Sequence, residues 1–208
     1  MISENLRHNF NVTIGVIIST SALLLLITLT NSLGLLAFDH NSILVLLFGI
    51  LILIKGVTIK SLVRHLHDQI DTYYKSQKMV HLIGQIAAVM VIISGIIAIP
   101  VWAFTTISNA TENSNFLTFY VQIILSVAFI TLGIWIFNIN RSLRFLNLIS
   151  YASSVIGYLF ALASILIPIS VLLMLFLGYT STFLFLSYVM IFGLAISWYS
   201  TLYSCLTK

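Results

Sequence analysis

The chain has 208 residues, 60% of them hydrophobic and 7% charged, with a mean hydropathy of +1.13 and a net charge of +4. Soluble domains carry about 25% charged residues, so this composition cannot clothe a water-facing surface and excludes a soluble globular fold. The excess of positive charge calls for no nucleic acid, because its placement along the chain is that of a membrane protein.

A hydrocarbon layer about 30 Å thick takes roughly 20 apolar residues to cross as a helix. In chain order the segments that qualify are 11–37, 41–60, 79–104, 116–138, 149–177 and 180–206. The chain therefore reads as an all-α, polytopic integral membrane protein, one domain over 1–208 with six transmembrane helices and no soluble domain. The first run follows Arg7 and is too long for a signal-peptide core, so it reads as a retained anchor. Short turns at 38–40 and 178–180 tie helices one to two and five to six, and a polar loop at 106–115 ties three to four, giving three hairpins.

Six crossings put the N-terminus, residues 61–78, residues 139–148 and the C-terminus on one side. All nine basic residues fall there or toward that end of helix two: Arg7, Lys55, Lys60, Arg64, Lys75, Lys78, Arg141, Arg144 and Lys208. Positive connectors stay cytoplasmic, which places both termini inside and makes the cell membrane the expected location. Lys60, Arg64, Lys75, Lys78, Arg141 and Arg144 are the expected contacts for anionic lipid head groups or for a partner subunit. The opposite side holds Asp39, Glu112 and the glycosylation sequon Asn109-Ala110-Thr111.

Beyond helix two, Ile59, Leu62, Val63, Leu66, Ile70 and Tyr73 recur at helical spacing, with Lys60, Arg64, His67, Asp68, Asp71 and Lys75 between them. This pattern predicts an amphipathic, basic cytoplasmic extension over about 57–76. The inner ends of helices two, four and six echo one another as Lys60-Ser61-Leu62, Arg141-Ser142-Leu143 and Ser200-Thr201-Leu202. Matches this short also arise because helix ends favour polar residues, so no internal repeat is assigned.

Lipid tails are as apolar as Leu, so helix association relies on small residues that allow close approach. Ser153, Gly157, Ala161, Ser164 and Pro168 form such a stripe on helix five, and Gly193, Ser197, Thr201 and Ser204 on helix six, and the two are expected to face each other. Trp102, Phe104, Phe116 and Tyr120 fall at the outer edge, and Trp135, Phe137, Trp198, Tyr199 and Tyr203 at the inner edge, as an interfacial aromatic belt.

Catalytic motifs are missing: there is no Gly-x-Ser-x-Gly elbow, no His-Glu-x-x-His and no phosphate-cradling glycine loop. His65, His67, Asp68 and Asp71 give two weak pairs on different helix faces, with His81 as a distant third donor, which falls short of a metal site. The chain is therefore expected to be no enzyme and to need no cofactor. Within the spans the notable polar residues are Lys55 and Gln85, both about 9 Å from the inner edge, where Lys55 can snorkel to the interface or pair with Gln85. No acidic residue lies within a span, which disfavours an ion-coupled transporter. The leading expectation is an accessory, assembly or structural subunit of a membrane complex, working through other membrane subunits or self-association. The alternative is a small-solute or ion transporter or channel subunit.

Overall fold

The computed structural model describes residues 4–33, 43–71, 78–108, 111–177 and 183–206, and among them all regular structure is helical. Six helices follow in order: α1 (Glu4–Ser32), α2 (Ile43–Asp71), α3 (Lys78–Ser108), α4 (Thr111–Phe145), α5 (Tyr151–Phe176) and α6 (Phe183–Leu206).

Each helix packs on its neighbour in sequence, and α6 returns to pack on α1, so the bundle is a closed ring. Its interior is filled by side chains at alternating spacings of three and four residues, the register that keeps one face of a helix on a core. On α1 these are Ile14, Ile17, Ser21, Leu24 and Thr28; on α2, Ile52, Lys55, Ile59, Leu62 and Leu66; on α6, Tyr188, Phe192, Ala195, Tyr199 and Leu202, all buried. The outer face is apolar as well. Val155, Leu159, Leu162, Leu166, Ile169 and Leu173 of α5 are exposed, which suits hydrocarbon and not water. Five helices contain segments long and apolar enough to cross a membrane: 8–30, 46–67, 78–100, 122–145 and 151–176.

The helices outrun the apolar segments that announce them. The loop expected at 106–115 is almost entirely helical, since α3 continues to Ser108 and α4 starts at Thr111. The connector expected at 139–148 likewise yields to α4, which continues to Phe145. Hydropathy marks where lipid begins and ends, whereas a helix stops only where a breaker or cap stops it. Between α4 and α5 that stop is explicit. Asn147 takes the left-handed conformation at φ 55°, the Leu148 N–H donates to the Leu143 carbonyl at 3.0 Å, and the Asn147 N–H donates to the Arg144 carbonyl at 3.1 Å. This is a Schellman ending, for which Asn is a suitable residue. Three residues later Ser150 caps α5 by accepting from the Ser153 N–H at 3.2 Å.

Within the expected extension at 57–76, α2 is one helix through to Asp71, and residues 72–77 lie outside the described residues. Ile59, Leu62, Val63 and Leu66 join the main core. The apolar face of this stretch is therefore packed within the bundle, while Lys60 and Arg64 point outward.

Candidate functional site

Lys55 stands in the core register of α2, and its side chain follows that register inward. It is 1% exposed, comparable to the leucines around it, so it does not snorkel to an interface. Its ammonium donates to Ser21 Oγ on α1 at 2.8 Å, and the Ser21 hydroxyl donates in turn to the Ile17 carbonyl at 2.7 Å. The ammonium also lies over the ring of Phe192 on α6, 4.8 Å from its centroid. Since α2 and α6 are not neighbours in the ring, Lys55 and Phe192 meet across its interior. No hydrogen bond joins Lys55 to Gln85, which is half-buried on α3. A buried ammonium held by one hydroxyl and one ring is only partly compensated for the water it has lost.

Aromatic residues continue the centre away from Lys55. Phe192 lies 6.0 Å from Phe129 of α4 and 6.4 Å from Tyr188, and Phe129 lies 5.8 Å from Tyr188, so the three rings form a triangle between α4 and α6. The hydroxyls of Ser126 and Tyr188 face each other here without reaching hydrogen-bond geometry.

A second buried polar group, Asn140 on α4, is treated differently. Its amide donates to the Ser154 carbonyl on α5 at 2.9 Å and approaches Ser154 Oγ at 3.4 Å. The contact depends on Gly157: a Cβ there would overlap Asn140 Oδ1 and lie 2.6 Å from the Trp198 indole nitrogen. Gly133 admits α5 in the same way, as a Cβ there would lie 2.8 Å from the Ala161 carbonyl. Gly95 does so between α3 and α2, where a Cβ would lie 2.6 Å from the Leu53 nitrogen.

The small-residue stripes thus pack differently from the sequence expectation. Ser153, Gly157, Ala161, Ser164 and Pro168 of α5 are buried, but Gly157 sits between Asn140 and Trp198, and Ala161 and Ser164 meet Gly133 of α4. On α6 it is Trp198, Tyr199 and Leu202 that turn inward. Ser197 is exposed and returns its hydroxyl to the Gly193 carbonyl at 3.1 Å, while a Cβ at Gly193 would meet nothing within 4 Å.

The inner aromatic belt also needs correction. Trp135, Trp198 and Tyr199 are at most 1% exposed and pack together inside the ring, with Trp135 and Trp198 edge to face at 6.3 Å; Phe137 and Tyr203 do face outward. Residue type alone could not separate interior from interfacial aromatics, but helical register could, since Trp198 and Tyr199 share a face with Ile191, Ala195 and Leu202. The same register would have placed Lys55, Ser21 and Phe192 on the core face. Asn140 falls in the same kind of register, between Ile136 and Leu143, and could have been placed on the core face of α4 in the same way.

Of the expected basic contacts, Lys60, Arg64, Lys78, Arg141 and Arg144 are exposed, and Lys75 lies outside the described residues, as does Asn109 of the sequon. Arg144 also lies over the Tyr151 ring at 5.7 Å. The rings of His67 on α2 and His81 on α3 come within 4.0 Å, and His65 meets Phe10 edge on at 6.5 Å. Among the described residues no three His, Cys, Asp or Glu side chains gather as metal ligands would.

No protein-family model, curated protein or solved structure matches this chain. Any functional reading therefore rests on the site itself.

Proposed function

We propose that the chain is a six-span membrane carrier for a small anionic solute, with Lys55 as the charge that receives it. The carrying observation is the enclosure of that ammonium at the centre of a closed ring, held by Ser21 and Phe192 without a carboxylate among its described partners. An ionisable residue inside a membrane bundle is costly, and where it persists it marks a pathway or a ligand by default. The sixth crossing is supported by α6 itself, whose 24 residues extend about 36 Å, enough to span the same layer as its neighbours. Segregation of the nine basic residues supports cytoplasmic termini, the cell membrane and anionic lipid at Lys60, Arg64, Lys78, Arg141 and Arg144.

A specific observation favours a second reading, in which the chain is an accessory or structural subunit of a membrane complex. Six of the glycines are pressed against a neighbouring helix, whereas Gly15 on α1 and Gly193 on α6 would meet nothing within 4 Å. Open glycines on the pair of helices that closes the ring suit the approach of another membrane subunit or a second copy.

Reconstitution separates the two. Purified chain in liposomes should take up labelled organic or inorganic anions saturably and above protein-free vesicles. A subunit without transport activity of its own gives no flux across the whole panel and instead brings a partner through gentle solubilisation. Sidedness is checked with single cysteines at Ser114 and Ser76 in a Cys205→Ser background: they should label from opposite faces, and labelling from one face would remove the six-span arrangement.

A further inference from the structure

Resting on the carrier reading, we propose that the ring interior around Lys55 binds a small monocarboxylate with an apolar body about the size of one aromatic ring. Three features of this interior select that chemistry. First, it offers one positive charge: Lys55 is the only buried cation among the described residues, and the other described lysines and arginines with assigned exposure lie at the surface. One ammonium balances one negative charge, whereas a dianion such as phosphate or a dicarboxylate would bring a second charge into a low-dielectric interior with no cation to meet it.

Second, hydrogen-bonding capacity is left over, and it is limited. The ammonium has three donors, of which Ser21 accepts one. Ser126 and Tyr188, 0% and 6% exposed, add two buried hydroxyls that face each other and have no other hydrogen-bond partner. A carboxylate, with two oxygens, can use an ammonium and a hydroxyl together. Among the described residues, this interior does not gather the many donors that cradle phosphate or sulfate.

Third, the remaining walls are rings. Phe192 covers the ammonium at 4.8 Å, and Phe129 and Tyr188 complete the triangle behind it. Side chains fill this interior, and Phe192 is the one that packs on the charge, so a carboxylate has to take the place of that ring. A carboxylate that takes its place leaves the displaced ring free to pack on the ligand's apolar body, as pockets for small molecules commonly combine a few polar anchors with aromatic walls. Helices close the ring on every side, so a long acyl chain has no lateral exit from it to lipid.

The test uses purified full-length chain in nanodiscs and equilibrium binding of radiolabelled benzoate. Saturable binding is expected, weakened at least about tenfold by Lys55→Met and less by Lys55→Arg, which keeps the charge. Unlabelled phenylacetate should compete, while benzamide, inorganic phosphate and dodecanoate should not. The benzamide comparison is made on the unmodified chain, so it decides the matter even where Lys55→Met fails to fold. Competition by benzamide as strong as by benzoate, or unchanged benzoate binding in a folded Lys55→Met protein, would overturn the assignment. Saturable binding of radiolabelled phosphate with no benzoate binding overturns the monocarboxylate class but leaves the carrier standing, provided that phosphate uptake depends on Lys55. Absence of Lys55-dependent binding and of flux for every anion removes both.

Discussion

Lys55 and Asn140 are both buried polar residues in the same ring of helices, each with part of its hydrogen-bonding capacity unused, since Asn140 Oδ1 accepts no hydrogen bond, and they differ in charge and in what they join. Asn140 sits where α4, α5 and α6 meet; its amide is bonded to the Ser154 carbonyl, and Gly157 is hollowed to receive it. Lys55 sits where α1, α2 and α6 converge and carries a full charge, yet its ammonium has one hydroxyl and one ring for company. In a medium without water, a polar side chain that crosses to a neighbouring backbone joins two helices. A charge left with partial compensation works against the fold and is retained for some other reason. The first arrangement builds the bundle; in the carrier proposed above, the second is where the solute is received.

Substitutions at the two sites should therefore change stability in opposite directions. The largest loss is expected from Gly157→Ala, whose methyl group overlaps Asn140 Oδ1 and crowds the Trp198 indole; overpacking of this kind costs about 3 kcal/mol, read as a fall in the unfolding midpoint in detergent. Asn140→Leu should follow with a loss of about 2 kcal/mol, because the Ser154 carbonyl loses its side-chain donor and a branched residue meets the hollow at Gly157. Lys55→Met should move the same midpoint upward, by about 1 kcal/mol, since a flexible apolar side chain replaces an ammonium that is costly to bury. The smallest effect belongs to Gly193→Ala: with nothing within 4 Å of the new methyl group, only helix propensity acts, and the gain should stay below about 1 kcal/mol. A fall in stability for Lys55→Met as large as for Asn140→Leu would erase the distinction between the two sites.

Much of this molecule can be read from sequence. Six apolar runs correspond in order to six helices, and the αL Asn147 and the capping Ser150 that turn α4 into α5 are residue types suited to those positions. Helix ends are less legible, because transfer to lipid sets the length of an apolar run but not the last hydrogen bond of the helix. The echo between helices proves to be a shared register: Lys60, Arg141 and Ser200 are exposed, Ser61, Ser142 and Thr201 half-buried, and Leu62, Leu143 and Leu202 fully buried. For the candidate site, the spacing from Ile52 through Lys55 to Ile59 already places the lysine on a core face. Its pairing with Ser21 in place of Gln85 depends on which helices become neighbours in the ring. One chain's hydropathy carries no information about that order, which is also why the stripe on α5 could be found while its contacts with α4 could not.

The most direct measurement is anion uptake by liposomes carrying the Lys55→Met chain, compared with the unmodified chain at equal protein density and with folding verified by a retained or raised unfolding midpoint. Uptake reduced at least about tenfold in a protein that is no less stable is the expected result, since it separates the function of the charge from the integrity of the fold. Uptake undiminished in the Lys55→Met protein would contradict the central claim that the enclosed ammonium receives the solute.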